Sequence, residues 1–314
     1  MEEKQMTEYL PEGSLIDSPK NKRALSSIEN LREAQKNQTV LEAKAIICNA
    51  HHDLILELGA MKGIIPRSEC AIGIESGETR DIAIISRVNK PVCFLITGFE
   101  KDKNGNIIAL CSRKAVQEEC KANYHDKLVP GDIIPAVVTH MESFGCFADI
   151  GCGISSLLPI DSISVSRISH PSDRFRNGQE IFAVVSGRDD SGRICLSHKE
   201  LLGTWEENAE NFSAGETVGG IIRSVEDYGV FVELAPNLAG LAESCSRISP
   251  GQQTSVYIKS LIPEKMKIKL IIVDAFDGKP ASALPKYYIT KGHIDRWRYS
   301  PKNCLKDVSS FFGG

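Results

Sequence analysis

Short apolar segments recur along the chain, each bounded by glycine, proline, aspartate or serine. Segments of this length, rich in valine, isoleucine and phenylalanine, are typical of short β-strands. In the middle of the chain they lie at 132–140, 143–150, 156–160, 179–187 and 192–197. A segment of helical or irregular character, 161–176, separates the third predicted strand from the fourth.

The second of these strands contains two phenylalanines, Phe144 and Phe147, that are three positions apart. Side chains alternate along a regular strand, so this spacing would direct the two rings to opposite faces. Gly145 lies between them, and a glycine within a strand often marks a sharp bend. A bend or a bulge at this point would bring both rings to the same side.

The same pattern occurs again later in the chain. Residues 131–150 align without gaps on residues 215–234, so that Phe144 aligns with Tyr228 and Phe147 with Phe231. A weaker copy precedes both, since 53–66 aligns with 145–159 and 105–114 with 192–199. Five short strands in each copy predict a mostly β chain of three tandem OB-type barrels, joined by short linker helices and preceded by an N-terminal helix.

The repeats divide the chain into five predicted parts. These are a tail with a short helix (1–37), a degenerate first OB domain (38–116), a second OB domain (128–199), a third OB domain (213–273) and a basic-aromatic extension (274–314). Ser26 and Glu29 have capping-box spacing and predict the N-terminal helix. Residues 1–20 contain proline and glycine, and we expect them to be mobile.

Two charged segments without proline, 113–128 and 198–212, follow the fifth strands of the first and middle copies. They predict linker helices. Trp205 and Phe212 are expected to anchor the second of these segments to a barrel as structural residues.

Composition and charge narrow the class of protein. The 314 residues are 42% hydrophobic and 25% charged, which is typical of a folded chain, and the net charge is −4. Binding to nucleic acid would therefore need local patches or stacking rather than an overall basic field. The apolar runs are too short to cross a bilayer, and the polar N-terminus lacks a signal peptide's apolar region. Ten cysteines without a C-x-x-C pair indicate reduced thiols in a cytoplasmic protein.

Catalytic and metal-binding motifs are not evident in the sequence. No P-loop, G-x-S-x-G or H-E-x-x-H motif occurs. Cys146 and Cys152 have no activating histidine at a fixed spacing, and His51 and His52 have no evident third metal ligand. We therefore expect neither an enzyme nor a cofactor or metal.

The motifs of the middle and last copies resemble those of the S-one RNA-binding domain family, and as a whole the chain is similar to short bacterial ribosomal proteins of this type and their paralogues. The resemblance covers most of residues 38–273 and rests on a glycine before the first strand, an aromatic-Gly-x-Phe motif, a Gly-Gln before the fourth strand and a basic-apolar-x-Leu fifth strand. Here these motifs are Gly131, Phe144-Gly145-Cys146-Phe147, Gly178-Gln179 and Arg193-Ile194-Cys195-Leu196, and in the last copy Gly215, Tyr228-Gly229-Val230-Phe231, Gly251-Gln252 and Lys267-Ile268-Lys269-Leu270.

The resemblance implies a set of RNA-binding residues. Aromatic rings on a barrel surface stack on unpaired bases, and a nearby cation holds a phosphate. The residues with these implied roles are Phe144, Phe147 and Arg193 in the middle copy, and Tyr228, Phe231 and Lys267 in the last. Structural alternatives remain open, because Phe147 and Phe231 would also suit a barrel core, and Arg193 and Lys267 would suit an ordinary surface.

Some positions depart from the family pattern. Many members carry a histidine on the third strand, where this chain has Pro159 and Glu243, and a carboxylate there would repel phosphate. The first copy has His52 and Ile55 in place of the aromatic pair, and an inserted stretch at 71–86. The leading repeats of ribosomal members dock on the ribosome through protein contacts rather than RNA, and the resemblance implies the same for this first copy.

The C-terminal extension mixes basic and aromatic residues between 286 and 303. Lys291, Arg296 and Arg298 are candidates for a secondary RNA contact. In the alternative interpretation, the aromatic residues pack on the last barrel while the arginines point outward.

Taken together, the residues and the resemblance favour a non-enzymatic protein that binds single-stranded RNA, including mRNA, and acts in translation on the small ribosomal subunit. The alternative is an RNA-binding adaptor or accessory factor in RNA decay. We expect a monomer, because tandem repeats already provide multivalency.

Overall fold

Three closed five-stranded barrels form the protein, as described for residues 9–244, 247–278 and 285–313 of a computed structural model. This confirms the predicted fold class. Two compact units are present: residues 1–128 with 149–155, and residues 129–148 with 156–314. The domain limits inferred from the sequence stay a proposal.

The first barrel consists of β1 (Leu41–Cys48), β2 (Leu54–Glu57), β3 (Lys62–Ile65), β4 (Pro91–Lys101) and β5 (Ile107–Ser112), in the order β1-β2-β3-β5-β4. Its core includes the fully buried side chains of Leu54, Leu56 and Phe94. The inserted stretch between β3 and β4 contains a short helix, α3 (Ile82–Ile85), and helix α4 (Arg113–Asn123) follows β5 within the first predicted linker segment.

Two helices precede this barrel, α1 (Pro19–Leu25) and α2 (Ile28–Lys36). The predicted N-terminal helix is therefore present, but its cap is Ser27 rather than Ser26. The Ser27 side chain accepts a hydrogen bond from the Asn30 backbone N–H, whereas Ser26 closes the end of α1.

The prediction that residues 1–20 are mobile is wrong for the described residues from 9 onward. Glu12 is buried and forms ion pairs with Arg113 and Arg87, at 2.6 and 3.2 Å. Its backbone N–H also donates to Asp149 at 2.8 Å. A carboxylate buried with two arginines fixes the segment around it, because separating the charges would leave them buried without partners.

The second barrel consists of β6 (Ile133–Glu142), β7 (Gly145–Asp149), β8 (Ser155–Pro159), β9 (Glu180–Arg188) and β10 (Ile194–Ser197). Segment 161–176 is mainly irregular, with a 3₁₀ turn at Pro171–Asp173. After β10, a 3₁₀ turn (Lys199–Leu202) and helix α5 (Trp205–Ala209) lead to the third barrel. Trp205 is buried and Phe212 packs partly against the same apolar cluster, which confirms their anchoring role.

The third barrel consists of β11 (Thr217–Glu226), β12 (Gly229–Ala235), β13 (Leu238–Ala242), β14 (Gln253–Ile262) and β15 (Lys267–Phe276), in the order β11-β12-β13-β15-β14. A buried ion network joins it to the second barrel within their common unit. Arg174 and Arg223 both contact Glu233, and Arg223 also contacts Asp173.

The C-terminal extension packs on the second and third barrels. Its two strands, β16 (Arg296–Arg298) and β17 (Ser309–Phe311), pair with each other. Trp297 lies in an apolar cluster with side chains from both barrels. Backbone bonds also join the extension to the start of β6, from the Ile133 N–H to Gly292 and from the Ile294 N–H to Gly131. The extension therefore closes the apolar surface between these two barrels.

Candidate nucleic-acid interface

The odd spacing of Phe144 and Phe147 is explained by the turn between β6 and β7. Phe144 lies in this two-residue turn rather than on a strand, and only Phe147 belongs to β7. The ring centroids are 6.2 Å apart with the planes at 86°, so the two rings meet edge to face. Phe144 is 54% exposed and Phe147 is half-buried.

The third barrel repeats this arrangement. The turn Asp227–Tyr228 joins β11 to β12, closed by the pairing of Glu226 with Gly229. Tyr228 is 70% exposed, and its ring centroid is 6.1 Å from that of half-buried Phe231. At this turn, the second and third barrels therefore each present an exposed ring, supported by a second ring that is partly embedded in the barrel wall.

The glycine after each exposed ring is required by a close backbone approach. A Cβ atom at Gly145 would lie 2.5 Å from the carbonyl oxygen of Leu158, and one at Gly229 would lie 2.5 Å from that of Ala242. A side chain at either position would push the neighbouring third strand away. The glycine thus allows the turn that carries the ring to pack against that strand.

The predicted cations lie on the surface near the fifth strands. Arg193 is exposed, but its Nε donates to Asp189 at 2.8 Å. The Arg193 backbone N–H also donates to Asp189, and this bond together with the guanidinium holds the pKa of that carboxyl below its usual range. Lys267 is exposed at the start of β15. Both cations are accessible to a phosphate, although Arg193 would share its guanidinium with Asp189.

Strand pairing places a further cation closer to the aromatic pair of the third barrel. Phe231 pairs with Leu241 across β12 and β13, and Leu241 pairs with Lys269 across the parallel β13–β15 contact. Lys269, rather than Lys267, therefore shares a cross-strand row with Phe231. The sequence alone does not single out Lys269, because the register of a parallel contact between non-consecutive strands has no local signal.

The first barrel lacks the aromatic surface. Its corresponding cross-strand row is aliphatic: Ile47, Ile55, Ile64 and Leu110. His52, at the position of the exposed ring, has its Nδ1 3.4 Å from a carboxylate oxygen of Asp81, which is also paired with Arg67. In the part of the chain that the structure describes, no group of three or more His, Cys, Asp or Glu side chains could hold a metal ion.

The cations of the C-terminal extension differ in their surroundings. Lys291 and Arg296 are exposed, whereas Arg298 is partly covered and its Nε donates to Asp307 at 2.9 Å. The neighbouring aromatic residues Trp297 and Tyr299 are buried. This arrangement, with the aromatic rings packed inside and Arg296 exposed, is the one expected if the extension packs on a barrel. An RNA contact by these cations stays a prediction.

The two cysteines considered as reactive groups are buried. Burial raises the pKa of Cys146 to about 12. The pKa of Cys152 is also raised, by its contact with Cys120 together with burial. Such thiols remain protonated near neutral pH, and the thiolate is the reactive form. Separately, none of the helices in the described residues is long and apolar enough to span a membrane.

Comparison with known proteins bears on the same region. Residues 127–199 match the family described as S1 RNA binding domain. The chain is 30% identical over 237 residues to the small ribosomal subunit protein bS1 homologue of Bacillus subtilis, covering 74% of this chain and 58% of that protein. It is 29% identical over 273 residues to bS1 of Leuconostoc lactis, covering 84% of this chain and 58% of that protein.

A likeness to solved structures is weaker. The chain aligns with a multidomain protein with nucleic acid binding domains from Streptococcus pneumoniae at 12% identity, over 76% of this chain and 74% of that protein. The TM-score is 0.25, so this similarity carries no functional argument. The chain spans between two fifths and three fifths of the length of the first bS1 relatives. Residues 127–199 are thus an S1 RNA-binding domain, and over most of its length the chain is a distant homologue of the bacterial bS1 proteins.

Proposed function

We propose that the protein binds single-stranded RNA, including mRNA, through the aromatic pairs of its second and third barrels. The observation that carries this proposal is the exposure of Phe144 and Tyr228 at equivalent turns of two barrels. An exposed ring stacks on a base with about 1–3 kcal/mol and with little sequence preference. Phe147 and Phe231 position these rings, while Arg193 and Lys267 contact phosphates.

We further propose that this binding occurs in translation, in the cytoplasm, on the small ribosomal subunit and without turnover of the RNA. The support comes from the bS1 relatives, which are named as small ribosomal subunit proteins. The domain limits 38–116, 128–199 and 213–273 belong to the same proposal. The first barrel, which has an aliphatic row instead of an aromatic pair, is proposed to contribute no stacking site.

Two measurements test the proposal. Fluorescence anisotropy with a labelled single strand and with its duplex should show salt-sensitive binding of the single strand and much weaker binding of the duplex. Equal affinity for both, or no binding, would refute the stacking model. Sedimentation with purified small ribosomal subunits should then bring the protein into the subunit fraction. RNA affinity without sedimentation would instead favour an adaptor in RNA decay, and cleavage of the labelled strand would contradict a role without turnover.

A further inference from the structure

The outer face of the β14–β15 hairpin carries exposed apolar and basic side chains. Lys267, Lys269 and Ile271 alternate with buried residues along β15, so they share one face. Tyr257 pairs with Ile271 across the hairpin, and Lys259 follows it on the same face of β14. We call these five residues the hairpin strip. Tyr257 is 38% exposed and Ile271 is 42% exposed.

The equivalent positions are covered in the other two barrels. Strand pairing matches Tyr257 and Ile271 with Leu95 and Ser112 in the first barrel, and with Val184 and Ser197 in the second. All four of those side chains are buried. In both barrels a helical segment of the same chain directly follows the fifth strand. In the third barrel β15 instead continues to Phe276, so the strip is a feature of this barrel alone.

The charge on the strip favours a polyanion. Lys259, Lys267 and Lys269 are exposed, and within the described residues none of them has a salt bridge to a carboxylate. By contrast, Arg193 of the second barrel is tied to Asp189. Lysines without a carboxylate partner can each contact a phosphate and release its counterions.

The strip is continuous with the proposed stacking site. Lys269 lies in the row that contains Phe231, and Tyr257 is on the next strand, two positions further along. Around the barrel surface, three steps between neighbouring strands and two residues along the strand separate Phe231 from Tyr257, a path of about 16 Å at the usual spacings. One strand of RNA that follows this path would meet two rings with cations between them.

We propose that the hairpin strip is an additional single-stranded RNA site, with Tyr257 as a third stacking ring and Lys269 as its central phosphate contact. This inference rests on the proposed function, since it extends the path of the same ligand. Glu243, exposed directly after β13, lies beside this path and opposes it by charge repulsion. The third barrel then has a longer footprint on RNA than the second, within the range of about 4–16 nucleotides known for OB folds.

The test uses the full chain with Phe144→Ala, so that the third barrel carries the measured binding. In this background Tyr257→Ala should weaken binding of an oligouridylate of about 16 nucleotides by about five- to tenfold. Lys269→Gln should reduce the slope of log K against log salt by about 0.7. The matched controls are Phe311→Ala, an exposed ring, and Lys103→Gln, an exposed lysine of the β4–β5 hairpin, and both should leave affinity and slope unchanged.

The outcomes separate this proposal from the one on which it rests. If the unaltered chain binds the oligonucleotide but Tyr257→Ala and Lys269→Gln behave like the controls, the strip is refuted and the proposed function stands. If the unaltered chain does not bind at all, both proposals are wrong. Glu243→Gln adds a gain-of-affinity measurement, and a loss of affinity for this variant would also overturn the proposed path.

Discussion

The replacement of Phe144 by alanine tests the physical basis of RNA binding directly. The ring is 54% exposed and lies in a turn, so its removal leaves the barrel core intact. What the fold loses is mainly the edge-to-face contact with Phe147, worth about 1 kcal/mol. A loss of this size is small against the 5–15 kcal/mol that holds an ordinary domain together, so the variant should remain folded.

The effect on binding should be much larger than the effect on stability. One stacked base contributes about 2 kcal/mol, in the middle of the measured range, and the loss of this energy weakens binding by about 30-fold. Tyr228→Ala should act in the same direction. For a strand long enough to reach both barrels, the double variant should lose more than either single variant, because the second contact is made at high effective concentration.

Fluorescence anisotropy with a labelled oligouridylate at fixed salt concentration is the appropriate assay, accompanied by a thermal melt of each variant. His52→Ala is the matched control, since His52 occupies the equivalent turn of the first barrel but is not an exposed ring. Its affinity should equal that of the unaltered chain. An unchanged dissociation constant for Phe144→Ala, with binding of the unaltered chain intact, would refute stacking at this turn.

Three further predictions concern stability in denaturant unfolding. Gly145→Ala places a Cβ atom 2.5 Å from the Leu158 carbonyl oxygen and should destabilise the second barrel by about 1–3 kcal/mol. Arg174→Ala removes one of two arginines from Glu233, which keeps its ion pair with Arg223, and should cost about 1.5–3 kcal/mol. His198 is buried, and this burial lowers its pKa to about 4. As the pH falls, His198 is therefore protonated in the unfolded chain before it is protonated in the folded chain. The free energy of unfolding should fall by about 3 kcal/mol between pH 6.5 and pH 4.

Each of these predictions has an internal comparison. Gly192→Ala is a control for Gly145→Ala because no atom lies near its added Cβ, so any cost there reflects only backbone conformation. For Arg174, equal stability of the variant and the unaltered chain would mean that the Arg174–Glu233 ion pair contributes nothing to stability. His198→Gln should lose the pH-dependent component, and an unchanged pH profile in this variant would assign that component to other groups.

The architecture could be predicted from the sequence because its signals are local and repeated. The strands of the second barrel begin and end within a few positions of the predicted segments, and the aromatic-Gly-x-Phe motif marks a turn in two barrels. The prediction that Phe144 lies on a strand is wrong, because this residue lies in the turn between β6 and β7. A two-residue turn and a strand continuation have similar composition, and only the pairing of β6 with β7 distinguishes them.

Features that depend on distant pairing could not be predicted in this way. Glu12 has partners 75 to 137 positions away, so the local composition of the N-terminal segment does not indicate that it is buried. The position of Lys269 in the row that contains Phe231 could not be predicted for the same reason, because that row is set by a parallel contact between β13 and β15. The covering of the equivalent positions in the first two barrels is likewise visible only in three dimensions.

The position of the C-terminal extension has a consequence for synthesis of the chain. Ile133 at the start of β6 shares an apolar cluster with Trp297 and Phe312, and its N–H bonds to Gly292. Because translation proceeds from the N-terminus, the second barrel leaves the ribosome well before these partners do. Part of this apolar surface therefore stays exposed to solvent on the nascent chain until residues 292–312 emerge. Premature stops in that stretch should yield aggregation-prone products rather than shortened active ones.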